Sequence, residues 1–437
     1  MNWSQFVRHI ELYIPNSLLS IYRWCKRKYL WILQRIAYKV AIYKVRKKNG
    51  PLNVLFIVFE QSLWKYDSLF QLMLKDECFN PTIFVCPNEA IEKELMIARF
   101  EETYSYFSCI KKYPTYSAYD DNMNLMNIDD LLPDIIFYPT PYLHNFPVQY
   151  NQYSLRKYLK CYVNYAFVNV PYSWSIASAF QGLMWLYLIE CESNQQLALS
   201  YSRCEFQNTR IVGYPIYDEY QKNKGEIYMW KDADSKFKRI IWAPHHSIEG
   251  HNGLLSLSTF LETAEEMLEL AENLKDKFQF AFKPHPFLLE ALYKHPKWGK
   301  EKTNLYYRKW KEGENTTLVD GVYMDLFKSS DALIHDCGSF IVEYLYSNKP
   351  VMYLGNSREE QSNIVGKRAY RCHYHGTTIE DVKQFINKVV LNNIDSMKQE
   401  REQFYNEVLL PPNGVSVAEN IINEIKNELC RSCLKRG

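Results

Sequence analysis

Ten short, nearly continuous apolar runs punctuate the chain, and between them apolar positions recur every three or four residues. In the first half the runs are Asn53–Val58, Thr82–Cys86, Asp134–Tyr138, Tyr162–Val168 and Arg210–Val212. In the second they are Arg239–Ala243, Phe278–Phe282, Thr316–Val319, Ala332–His335 and Val351–Leu354. Runs of this length without polar alternation suit strands covered on both faces, as in parallel sheets. The intervening stretches, among them Leu63–Lys75, Glu89–Phe100, Ser256–Leu274, Ser339–Ser347, Ile379–Val390 and Val415–Asn427, predict helices. Two successive βα series predict an α/β protein of two Rossmann-like, doubly wound domains. Asn49-Gly50-Pro51 marks a first boundary and the polar Tyr217–Ser235 stretch a second. The expected units are therefore 1–49, 50–216 and 217–437.

Charge changes the picture at the N-terminus. Over the whole chain Lys and Arg exceed Asp and Glu by only two, yet residues 1–49 carry eleven Lys/Arg against the single acid Glu11. The same arm carries Trp3, Phe6, Tyr13, Leu18, Leu19, Tyr22, Trp24, Tyr29, Trp31 and Ile32. No apolar run approaches the roughly 20 residues of a spanning helix. A cationic amphipathic arm with Trp and Tyr fits an anionic inner membrane face, which places the protein peripherally on the cytoplasmic side. The remainder is acidic and shows no nucleic-acid-binding module, so no nucleic-acid partner is expected. Eleven cysteines lack regular spacing, Cys430 and Cys433 forming the only CxxC pair, and read as reduced thiols.

In doubly wound sheets ligands bind beyond the carboxyl ends of the strands, and in the second half those ends are polar. Pro244-His245-His246-Ser247 follows one run, Lys283-Pro284-His285-Pro286 another, and His335-Asp336-Cys337-Gly338-Ser339 a third, opening into a helix. Four of the ten histidines thus fall at three strand ends of one domain. His and Lys donate to phosphate oxygens, Gly338 permits close backbone approach, and a helix start at Ser339 supplies free N–H groups. The combination suits a diphosphate, with catalysis by stabilising charge on a leaving phosphate. A histidine is also a candidate general base toward an acceptor hydroxyl. Asp325 and Asp336 read either as ligand contacts or as helix caps, and Glu343, one turn beyond Ser339, as a ribose acceptor or a surface acid. His245, His246 and His251 lack an acidic partner at ligand spacing, so no metal is expected. Walker A, GxGxxG and GxSxG motifs are absent, which removes most nucleotide hydrolases, dehydrogenases and serine hydrolases.

Taken in order, Gly213-Tyr-Pro215-Ile-Tyr-Asp218, Ile-Ile-Trp-Ala-Pro244, Lys283-Pro-His285-Pro286, Asp325-Leu-Phe, Asp336-Cys-Gly-Ser339 through Glu343, and Lys349-Pro350-Val-Met-Tyr353 resemble the CDP-glycerol glycerophosphotransferase family, which includes the teichoic-acid glycerol- and ribitol-phosphate transferases. The resemblance implies a GT-B fold with the domains facing a central cleft, and a CDP-polyol donor held by the C-terminal domain. It further implies metal-independent phosphotransfer, without a cofactor, to a hydroxyl of a lipid-linked or polymeric carbohydrate acceptor. On this reading His285 and His246 are catalytic, and His245, Ser247, Lys283, Asp325, His335, Asp336, Gly338, Ser339 and Glu343 bind the donor. The chain departs from the family at Pro244-His245-His246-Ser247, where Pro-Thr-x-Arg is usual, at Ile216 in place of Arg, and at Cys337-Gly338 in place of Tyr-Ser. The family's N-terminal Trp-His-Gly-Thr motif is missing, the region reading Tyr162-Val-Asn-Tyr165 to Val170-Pro171-Tyr172-Ser173-Trp174. His144 is a candidate replacement base. A nucleotide-sugar glycosyltransferase of the same fold, or a non-catalytic scaffold of polymer assembly, are the alternatives.

Overall fold

The computed structural model describes residues 16–222, 229–232, 236–248, 258–321 and 323–429. The first fifteen residues of the arm, part of the expected link, His251, the start of the helix expected from Ser256, and Cys430 and Cys433 lie outside these. Two all-parallel sheets organise the rest. The first contains β1 (Leu52–Val58), β2 (Phe79–Val85), β3 (Thr115–Ser117), β4 (Ile135–Tyr138), β5 (Leu159–Val163), β6 (Leu186–Ile189) and β7 (Thr209–Ile211), in the order β3-β2-β1-β4-β5-β6-β7. The second contains β8 (Lys238–Ala243), β9 (Phe278–Phe282), β10 (Thr316–Leu318), β11 (Ala332–His335), β12 (Val351–Leu354) and β13 (Tyr374–Gly376), in the order β10-β9-β8-β11-β12-β13. Both orders reverse beside their first strand, creating the crevice at which doubly wound sheets bind ligands. In the second sheet it lies between β8 and β11, where Ala332 to His335 pair with Ile240 to Ala243.

Each of the ten expected strands overlaps an observed one, although the run expected at Tyr162–Val168 shares only Tyr162 and Val163 with β5 and is loop beyond them; β3, β6 and β13 are additional. β6 lies in Leu183–Ile189, a continuous apolar run of the same kind as the ten. β3 and β13 are three-residue edge strands of half-buried and exposed residues that form no apolar run. Each sheet is apolar on both faces. The helix Phe260–Asn273, for example, buries Phe260, Ala264, Met267, Leu268 and Ala271, a helical stripe that packs with Trp242, Phe280 and Phe282.

Two helices depart from simple sequence order. Helix α1 (Asn16–Lys47) runs as one rod along the first sheet. Tyr38, Ala41 and Val45 enter that sheet's core, and the Tyr38 hydroxyl donates to the Leu183 carbonyl at 2.6 Å. The last helix, α2 (Val417–Leu429), expected in the second unit, instead buries Val417, Ile421, Ile422, Ile425 and Leu429 in the core of the first. Its clasp explains the Gly213-x-Pro215 to Asp218 spacing. The Asp218 carboxylate accepts from Val417 N and Ala418 N, both at 2.8 Å, satisfying donors at the helix start. Gly213 holds a φ of +91°, and a Cβ there would lie 2.9 Å from Pro411 and Val417. Among the described residues eight cysteines are free thiols, whereas Cys78 is disulfide-bonded, contrary to the reading of uniformly reduced thiols.

Candidate active site

Both sheets direct their strand ends at one cleft, which encloses a cavity of about 450 Å³. The second sheet contributes His245 after β8, Lys283 and His285 after β9, Tyr323 beyond β10, Gly338 and Ser339 after β11, and Arg358 beyond β12. The first contributes Ser62 and Lys65 after β1, Tyr142 after β4, and Asn164, Tyr165, Asn169 and Trp174 after β5. Across the cleft Lys65 Nζ donates to the Tyr323 hydroxyl at 2.7 Å, and Asn169 Nδ2 donates to the Gly338 carbonyl at 2.5 Å. These contacts hold the two walls against each other.

The two walls differ in charge. Lys283 is 5% exposed and has neither a hydrogen-bond acceptor nor an ion-pair partner among the described residues; its ammonium lies 5.5 Å from the Tyr323 ring centroid. Burial lowers its pKa. Arg358 likewise makes no ion pair among the described residues, and its Nη1 is buried without a hydrogen-bond partner. Asp320 offsets part of the cost at Lys283, and Arg358 is only partly buried; an anionic ligand would give the Lys283 ammonium and the Arg358 Nη1 the acceptor that each lacks.

The histidines form one packed group. The ring centroids are 4.1 Å apart for His245 and His246, 4.2 Å for His246 and His285, and 4.8 Å for His245 and His285. Asp336, on the far side of the β8–β11 crevice, accepts from His245 N at 2.5 Å and from Thr259 N at 3.3 Å, which pins the loop. Nδ1 of His245 accepts from Ser247 N at 3.3 Å and lies 2.8 Å from Ser247 Oγ. Nδ1 of His285 accepts from Phe287 N at 3.2 Å. A ring that accepts a backbone N–H at Nδ1 carries its proton on Nε2, so both present an Nε2–H donor. Burial, then the neighbouring histidines, bring the His245 pKa to about 2; burial, His246 and Lys283 bring that of His285 to about 3. Both are therefore neutral donors.

Sequence-predicted residues separate into three groups. His245, Lys283, His285, Gly338, Ser339 and Glu343 line the cavity. His246 does not; it packs against its two neighbours, its Nδ1 buried and unpartnered. Ser247 and Asp336 hold His245 rather than reach the cavity, and burial raises the Asp336 carboxyl to about 7. Asp325 and His335 also stay outside the lining. His335 is fully buried, its Nδ1 3.1 Å from the Cys337 carbonyl, and burial lowers its pKa to about 3. Gly338 serves differently from expectation. The space a Cβ would take is filled by Arg358, whose Nη1 lies 3.0 Å from that position. The helix after Ser339 is only Phe340–Glu343 before a 3-10 turn, too short for its dipole to dominate over the cations. Glu343 is 1% exposed and accepts from Tyr214 at 2.7 Å and Tyr323 at 2.5 Å; it steadies Tyr323 beneath Lys283. His144 is exposed and does not line the cavity. Arg358, Lys65, Tyr323 and the aromatic residues of the first wall went unread in the sequence, since no strand-end motif surrounds them.

Ligand atoms of His245, His246 and His285 lie within 4.8 Å of one another, the one group of this kind among the described residues. The Nδ1 contacts argue against a cation here: a protonated Nε2 donates hydrogen bonds and cannot ligate.

Two parallel sheets facing a cleft, with His, Lys and Arg side chains at the strand ends of the second, are the GT-B architecture. A family model described as CDP-Glycerol:Poly(glycerophosphate) glycerophosphotransferase matches residues 185–427, more than half of the chain, and the protein belongs to that family. Among solved structures, a variant of the wall teichoic acid polymerase TagF is 11% identical, with a TM-score of 0.56, covering 87% of this chain and 90% of that one. Staphylococcus aureus MnaA with UDP is 16% identical, TM-score 0.54, covering 87% and 97%. A UDP-N-acetylglucosamine 2-epimerase described as putative, from Listeria monocytogenes, is 13% identical, TM-score 0.54, covering 86% and 96%. At these identities the likeness is one of fold. Comparison with curated proteins gives no match.

Nitrogen-detected NMR of the empty protein should show His245 and His285 neutral and protonated at Nε2 from about pH 8 down to about pH 5, since lowered pKa values postpone protonation to stronger acid. Titration of either ring near its ordinary value of about 6.5 would contradict the donor assignment.

Proposed function

We propose that the protein transfers a polyol phosphate, of the glycerol- or ribitol-phosphate kind, from a CDP-linked donor to a hydroxyl of a cell-surface carbohydrate polymer or its lipid-linked precursor. The observation that carries this reading is the convergence of Lys283, Arg358, His245 and His285, with no ion pair among the described residues, on one wall of the cleft, in a chain of the glycerophosphotransferase family. Lys283 and Arg358 neutralise the diphosphate, and the two imidazole Nε2–H groups donate to its oxygens. The acceptor oxygen attacks the phosphorus that bears the polyol. A new P–O bond forms there, the bridging P–O bond breaks, and its electron pair leaves with CMP. A loose transition state asks for little prior deprotonation, so the acceptor proton departs late, to water. His285 and His245 stabilise the charge growing on the leaving phosphate, and His246 keeps both rings in place. No step calls for a metal ion.

Incubation with CDP-glycerol, CDP-ribitol and UDP-sugars tests the reading through the nucleotide released. CMP from a CDP-polyol, unchanged by chelator, is expected, and His285→Asn should lower kcat roughly 10²-fold. The UDP of the Staphylococcus aureus neighbour points to the rival, a nucleotide-sugar transferase; release of UDP from a UDP-sugar would decide for it.

The same reading places the protein on the inner membrane face through α1. No described helix is long and apolar enough to cross a membrane. Opposite its docked side, α1 exposes Leu18, Tyr22, Tyr29, Ile32, Ile36, Val40 and Tyr43 in a stripe of three-, four- and seven-residue steps, with Lys26, Lys39 and Lys47 on the same rod. Because Tyr38, Ala41 and Val45 belong to the core, deleting the whole arm would damage the fold. Serine at Tyr29, Ile32, Ile36 and Val40 should instead release the protein from phosphatidylglycerol vesicles while leaving its melting temperature within a few degrees; undiminished co-sedimentation would remove the membrane assignment.

A further inference from the structure

The first wall of the cleft has a chemistry of its own. Tyr172 caps, and Trp174 lies within, a single helical turn, Ser173–Ile176, that follows the β5 strand end. Their rings stack, with centroids 5.7 Å apart and planes 14° from parallel. The pair is nevertheless open to solvent, Tyr172 being 40% and Trp174 56% exposed. Trp174 lines the cavity beside Tyr142 and Tyr165, whose hydroxyls lie 2.9 Å apart. The turn is braced: Ser175 Oγ donates to the Tyr172 carbonyl at 2.6 Å, and Gln181 Nε2 donates to the Ser175 carbonyl at 3.0 Å. Two large rings are thus held exposed by a rigid backbone at the mouth of a reaction cleft, where apolar burial alone would have hidden them.

Charge narrows what they meet. Lys65 is the one charged residue that the first sheet adds to the cavity lining among the described residues, and its ammonium donates to Tyr323 and lies 4.9 Å from that ring's centroid. A chain of polyol phosphates carries a negative charge on every unit and would need cations along its path. Rings, hydroxyls and amides suit instead a neutral pyranose, whose C–H face stacks on an aromatic ring while its hydroxyls bond to polar neighbours.

We infer that Tyr172 and Trp174, with Tyr142 and Tyr165, form an acceptor subsite for a neutral sugar ring, so that the hydroxyl receiving the phosphate belongs to a saccharide and not to a polyol-phosphate chain. The inference rests on the transferase reading above and gives the carbohydrate acceptor of that reading its place in the cleft and its neutral sugar ring.

Binding of methyl hexopyranosides, methyl N-acetylhexosaminides and a glycerol-phosphate trimer to the full chain, followed by saturation-transfer NMR, tests it. The glycosides should bind more tightly than the trimer. Trp174→Ala should weaken them about tenfold or more, and Trp174→Phe, which keeps an aromatic face, about threefold or less. An unchanged melting shift with CDP in both variants would show that the donor wall is folded. Preference for the trimer, absence of glycoside binding to the wild type, or wild-type glycoside affinity in Trp174→Ala would each overturn the subsite. Glycoside binding that depends on Trp174 without CMP release from any CDP-polyol would instead sink the donor reading and leave the subsite standing.

Discussion

Lys283, Arg358 and two imidazole donors converge on one wall of this cleft without an ion pair among the described residues, and the organisation of the second domain follows from that. Lys283 is nearly inaccessible and unpaired among the described residues, Arg358 Nη1 is buried and unpartnered, and three imidazoles are packed ring against ring. Inside a folded protein such an arrangement costs stability unless a ligand completes it. The surrounding contacts keep the groups in place at that cost. Asp336 pins the His245 loop across the β8–β11 crevice, backbone donors from Ser247 and Phe287 set the ring tautomers, and Glu343 holds Tyr323 under the Lys283 ammonium.

The rest of the fold keeps two walls in register. The last helix returns to the first sheet, capped by Asp218 and seated against Gly213. Asn363 N donates to the Asn169 carbonyl at 2.9 Å, and Asn169 reaches Gly338. Gly213 and Asp218 of the family spacing, and Asp336, expected as a donor contact or a helix cap, thus act on geometry. Transfer between two substrates demands such a frame, because the reacting atoms must meet within a few tenths of an ångström.

Most of the fold was legible in the sequence because strands covered on both faces leave continuous apolar runs. The strands that escaped were two edges whose residues are half-buried or exposed, and β6, although its run is as continuous as the others. The site was legible where function sits on a strand end: His245, Lys283, His285, Gly338 and Ser339 all reach the cavity. It was illegible where the deciding fact is a side chain's direction. His246 and His245 are neighbours in sequence, and only the fold shows that His245 lines the cavity. His335 ends a strand yet turns into the core, bonded to Cys337. Arg358 follows β12 in a polar loop with nothing to mark it, and its link to Gly338 is a matter of shape. The arm's basic and apolar residues were evident, but their division into a docked side and an exposed stripe requires the sheet beneath α1.

The reading turns on the second domain recognising a diphosphate through Lys283, Arg358 and two imidazoles, cations that form no ion pair among the described residues and neutral N–H donors beside them. Calorimetric titration of CDP and CMP into the wild type and Arg358→Ala tests it most directly. CDP should bind wild type at least about tenfold more tightly than CMP, a difference of about 1.4 kcal/mol, and Arg358→Ala should remove most of that advantage. Equal affinity of CDP and CMP for the wild type, or a CDP preference untouched by the substitution, would contradict the account.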